Sequence, residues 1–83
     1  MAISVDALRD YMVRRNAAII ENNIDKTLVQ RRSYSTIHRE PNPISIESAN
    51  LVKINYEKVG WNVDVLTKAV GGKLLTEFHL KAK

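Results

Sequence analysis

Eighty-three residues make one domain, with a core small enough to need support from disulfides, metal or association. The absence of cysteine rules out disulfides and thiolate zinc sites, and the only histidines, His38 and His79, fall far apart in the predicted fold, which leaves association. Thirteen basic residues against nine acidic give a charge of +4; no run of eighteen apolar residues and no basic n-region before an apolar stretch is present, so a cofactor-free protein of the cytoplasm, without a membrane partner, is expected.

The first element is a long helix over 4–32. Ser4 is placed as N-cap, with Ile3 and Leu8 as the hydrophobic staple and Asp6 in the first turn. No proline or glycine interrupts the chain before Pro41. Two apolar stripes run along it. One is Val5, Leu8, Met12 and Ile19; the other is Val13, Ala17, Ile20, Ile24 and Leu28. From Val5 to Arg31 such a helix is roughly 40 Å long at 1.5 Å per residue, more than the remaining chain is expected to cover. It either breaks at Asn22-Asn23 or packs its second stripe on another copy. The stripe keeps phase through Asn22-Asn23, so a homo-oligomer held through Val13, Ala17, Ile20, Ile24 and Leu28 is the expectation.

Residues 33–44 read as an extended linker, since Pro41 and Pro43 disfavour helix before them. The stretch from Lys26 to Arg39 carries the densest positive charge. Lys26, Arg31, Arg32, His38 and Arg39 are interleaved with Ser33, Tyr34, Ser35 and Thr36. Arginine forks grip phosphate, hydroxyls add donors and tyrosine stacks on bases. Lys26, Arg31, Arg32, Tyr34, His38 and Arg39 are therefore the candidate binding residues for a nucleotide or nucleic acid. The bland reading is a helix end, where cations favour the dipole, followed by a solvated loop.

A second helix is expected over 45–59. Ile46, Ala49, Val52, Tyr56 and Val59 share one face, Ser45 caps it, Glu47 opens it and Gly60 ends it. A β-hairpin over 61–82 follows. Gly71-Gly72 suits a two-residue turn that needs positive φ twice. Paired residues then sum to 143, setting Val65 against Phe78, Val63 against Leu80 and Trp61 against Ala82 on one side. The other side pairs Asp64 with His79 and Leu66 with Glu77, and Leu66, Val70 and Leu75 form a small apolar patch there. The fold class is α+β: long helix, linker, second helix, two-stranded hairpin.

Catalytic chemistry finds no support in the pattern. There is no nucleophile elbow, and Gly71-Gly72 is explained by the turn. The Asp64–His79 pair reads as a cross-strand salt link rather than an acid–base dyad. A non-enzymatic protein is expected.

The run Tyr56-x-x-x-Gly60-Trp61, with a short hairpin behind it, resembles small orphan proteins of tailed bacteriophages over residues 46–80. The resemblance implies a short non-enzymatic viral protein. Some such proteins block host or defence components, some sequester signalling nucleotides as small oligomers, and others are minor virion parts. Two functions follow as expectations. One is capture of an anionic ligand or host partner through 26–39, in the host cytoplasm. The alternative is an assembly protein of the virion.

Overall fold

The computed structural model describes residues 2–83. Helix α1 runs unbroken from Val5 to Arg31, straight through Asn22-Asn23. The Ser4 hydroxyl accepts from the Ala7 N–H at 3.0 Å, so the first turn is capped as the sequence implies. Arg32 ends the helix in the left-handed conformation at φ 48°.

Strand β1, Ser35–Glu40, comes next, then helix α2, Ile46–Glu57. Ser45 caps α2 by accepting from the Ser48 N–H at 3.2 Å, and Gly60 follows at φ 103°. Strands β2, Trp61–Val70, and β3, Lys73–Ala82, form the hairpin around Gly71 and Gly72, at φ 57° and 80°. Every pair in this hairpin sums to 143, from Trp61↔Ala82 to Val70↔Lys73.

The sheet has three strands, not two, in the order β1-β3-β2. The stretch read as linker holds a strand between the two helices, antiparallel to β3 from Ser35↔Lys81 to Glu40↔Thr76. Its sequence hides it. Alternation sends Thr36, His38 and Glu40 to the same face as Phe78 and Leu80, and the one aliphatic residue, Ile37, to the open side. A strand that turns polar groups inward has no apolar alternation to read.

This strand changes what covers α1. The inner sheet face, with Val63, Phe78 and Leu80, meets Ala17, Ile20 and Ile24 of α1 and Ala49, Val52 and Tyr56 of α2 in one core. Leu28 packs against its edge, and the Val13 carbonyl accepts from the buried Ser48 hydroxyl at 3.3 Å. The stripe expected to join copies is thus the intramolecular seam, a correction that follows from the wider sheet. Each fully buried side chain of this size contributes roughly 1.5–3 kcal/mol, so Ile20 and Ile24 belong to monomer stability.

The two helices are also locked polar to polar. Tyr56 Oη donates to Asp25 Oδ1 at 2.6 Å and lies 2.9 Å from the Glu21 carbonyl oxygen, while Asn55 Nδ2 donates to Glu21 Oε1 at 2.7 Å. Burial first, and then the bond to the Asp25 carboxylate, push the Tyr56 phenol well above the usual tyrosine range.

Candidate functional site: the open sheet face

Both helices pack on one side of the sheet, so the other side faces solvent. Its residues are Ser35, Ile37 and Arg39 of β1, Asn62, Asp64, Leu66 and Lys68 of β2, and Glu77, His79 and Lys81 of β3, as the two registers dictate. The centre of this face is a carboxylate under cations. Glu77 Oε2 accepts from Arg39 Nε at 2.8 Å. Its Oε1 lies 3.2 Å from both Lys68 Nζ and His79 Nε2. Glu77 is only 5 % exposed although no other chain layer covers it; its partners do the covering. The bond from His79, with those from Lys68 and Arg39, holds its carboxyl below the usual glutamate range against the opposing effect of burial.

Beside this cluster lies an open hollow of about 820 Å³. Arg31, Arg39, His79 and Lys81 line it, with Asn62 and Asp64. Arg31 reaches it from the end of α1, Arg39 from the edge strand, His79 and Lys81 from the central strand. Glu77 lies outside the lining but offsets the charge of Arg39, and Asp64 is the one carboxylate that lines the hollow. The balance is net positive, and the amide of Asn62 and hydroxyl of Ser35 add neutral hydrogen-bonding groups.

The six binding residues expected from 26–39 do not converge. Arg31 and Arg39 share the hollow. His38 points to the opposite face, half-buried, with Nε2 3.3 Å from Glu40 Oε2 and its ring 6.3 Å from that of Phe78. The strand's own alternation separates it from Arg39. Lys26 stands on an exposed part of α1, in a shallow depression with Asp25, Val29 and Gln30. Arg32 sits in the turn and Tyr34 is exposed at the head of β1, its carbonyl accepting from the Ala82 N–H at 2.8 Å. The sequence reading missed Glu77, His79, Lys81 and Asn62 as site members. The hairpin register placed all four on this outer face; what was lacking was β1, which brings Arg39 alongside. Asp64 and His79 are directly opposed as expected, but the imidazole bonds to Glu77 instead. On the same face, Leu66 and Val70 are exposed and Leu75 is half-buried.

Among the described residues no group of three or more histidines and carboxylates is arranged to hold a metal ion. Among the described residues no helix is long and apolar enough to cross a membrane. Comparison with protein-family models, curated proteins and solved structures gave no match to the chain.

Proposed function

We propose that this protein is a non-enzymatic binding module that captures a phosphate-bearing ligand on the open sheet face. The observation that carries the reading is the hollow where Arg31, Arg39, His79 and Lys81 converge around a single carboxylate, Asp64. Two guanidinium forks and an ammonium suit phosphate oxygens. The flat floor of a three-stranded sheet leaves room for the rest of a nucleotide or a strand of nucleic acid. The reading accords with the resemblance to small phage orphans, some of which sequester nucleotides in the host cytoplasm.

The test is fluorescence anisotropy with a labelled single-stranded oligonucleotide, and in parallel with a labelled nucleoside triphosphate. Binding should weaken as salt rises. Arg31→Ala with Lys81→Ala should flatten the log–log salt slope by about 0.7 for each phosphate of a single strand that is no longer neutralised. His38→Ala, on the other face, should leave affinity unchanged. Preference for the oligonucleotide identifies a strand, and preference for the triphosphate a mononucleotide. Equal affinity of the parent and the Arg31/Lys81 double variant for both probes would refute the site.

A further inference from the structure

Strand β2 leaves one side of its backbone open. The Lys83 N–H donates to the Gly60 carbonyl at 3.1 Å, which fixes the phase of the β2–β3 ladder. Asn62, Asp64, Leu66, Lys68 and Val70 therefore bond to β3, and the N–H and C=O groups of Val65, Thr67 and Ala69 point away from it. Among the described residues no backbone group bonds to them. Helix α2 closes over the strand at Val63, which is 3 % exposed. Beyond that point a groove of about 440 Å³, lined by Ile44, Ala49, Val65 and Thr67, separates the helix from the hairpin, and residues 66–70 are exposed without exception. The strand carries no proline and no bulge, so this edge is open to another strand.

The opposite edge of the sheet is blunted. The Ala82 N–H donates to the Tyr34 carbonyl at 2.8 Å, so Ser35, Ile37 and Arg39 turn their backbone groups outward from β1. The Ser33 hydroxyl takes both groups of Ser35, donating to its carbonyl at 2.6 Å and accepting from its N–H at 3.2 Å. Pro41 follows the strand at once. The charges on β2 show what its own edge can take. Asp64 has no ion-pair partner among the described residues. The Lys68 side chain is 54 % exposed although it touches Glu77.

We propose that β2 pairs antiparallel with β2 of a second copy about a two-fold axis through Leu66. Val65 then exchanges backbone hydrogen bonds with Thr67 of the second copy. Asp64 stands opposite Lys68 of the second copy, and Lys68 opposite its Asp64, at non-hydrogen-bonded positions where side chains come closest. The small side chain of Ala69 is what comes opposite Val63, where α2 closes in. Only this axis matches both charges. An axis through Asp64 or Lys68 sets like charges face to face, and one through Val65 or Thr67 sets Asp64 against Leu66 or Val70. Lys68 can keep Glu77 as well, since an ammonium has three donors. The pairing does not depend on the anion reading, but it borders that hollow and gives Asp64, its one carboxylate, a cation from the second copy. A contact this short belongs to the weak class of interfaces, below about 1,200 Å². Each chain therefore folds alone, and pairing appears only at high concentration.

Sedimentation and amide NMR spectra of the full chain, from about 10 µM to about 1 mM, test this. The parent should self-associate, and the Val65, Thr67 and Ala69 amides should shift with concentration while those of Ile37 and Arg39 stay. Asp64→Lys and Lys68→Asp should each weaken association about tenfold, because each sets like charges opposite one another on both sides of the axis. An equimolar mixture of the two variants should recover the parent's affinity, because every pair between positions 64 and 68 is then opposite in charge. Thr67→Pro should give a monomer with the parent's fold, since the Thr67 N–H makes no bond to β3. A parent that stays monomeric at about 1 mM would overturn the proposal and leave the edge to a strand of another protein. So would association that survives Thr67→Pro, or a mixture that pairs no more tightly than either variant alone.

Discussion

Arg39 and Glu77 are directly opposed across the β1–β3 ladder, and the guanidinium Nε donates to the carboxylate at 2.8 Å. This bond ties the edge strand to the central strand on the face that lacks a covering layer. It also means that one carboxylate restrains two cations, Arg39 and Lys68, beside the proposed anion site.

Glu77→Gln should therefore separate stability from binding. It frees Arg39 and Lys68 for an external anion, and affinity for the oligonucleotide should rise severalfold at low salt. The folded Glu77 carboxyl titrates below its unfolded value of about 4.3. Its stabilisation is complete above that value and is lost as pH falls through the lower folded one. Thermal melts from about pH 6 to about pH 3 should show the parent losing more than Glu77→Gln does. Parallel decline of the two proteins would show that the cluster contributes nothing to acid sensitivity.

Ile24 is fully buried at the junction of α1, α2 and the sheet. Ile24→Ala should cost about 2–5 kcal/mol through the cavity it leaves. The cost should be independent of protein concentration, because the packing lies within one chain. Urea unfolding at two concentrations checks both statements, and a midpoint that moves with concentration would return this stripe to an intermolecular role.

The Thr36 hydroxyl is buried without a hydrogen-bond partner on the inner face of β1. Replacing it by an isosteric methyl removes an unpaired polar group, so Thr36→Val should stabilise by about 1 kcal/mol. The same substitution suits a strand. Chemical denaturation that gives a lower midpoint would mean the hydroxyl has a partner in solution.

Gly72 holds φ 80° in the hairpin turn, with open space around its α-carbon. Sterics at a new side chain are thus no obstacle, and the whole penalty of Gly72→Val is backbone strain, about 1–3 kcal/mol. Gly71→Asn should be much milder, since φ 57° is a conformation asparagine tolerates. Equal destabilisation at both positions in thermal melts would contradict this account of the turn.

The two helices, both N-caps and the hairpin register were legible because each rests on local chemistry. Ser4 and Ser45 cap through their own hydroxyls, and Gly71-Gly72 fixes which residues face each other. Strand β1 was not legible, because its inward residues are Thr36, His38 and Glu40, and its place is set by β3, some forty residues away. One omission then leads to another. Without β1 the sheet is too narrow to cover Ala17, Ile20 and Ile24, and that stripe reads as a contact between copies. The candidate site was half visible for the same reason. Arg31 and Arg39 stood out by charge, but alternation along an unrecognised strand was needed to part His38 from Arg39 and to bring His79 and Lys81 to the arginines.

The strand order has a kinetic consequence. Hairpin β2–β3 closes around two residues, and α1 and α2 form from neighbouring turns. Strand β1 must instead find β3 across the whole of α2 and β2, a large loop to close before any ladder bond rewards it. Docking of β1 is thus the expected last step of folding, and the first to reverse. Hydrogen exchange should find the Thr36 and His38 amides the least protected of those that bond across the ladder, in step with the lifetime of the anion-binding hollow. The hollow depends on Arg39 of β1 lying beside His79 and Lys81 of β3, so competence to bind becomes a readout of the finished fold.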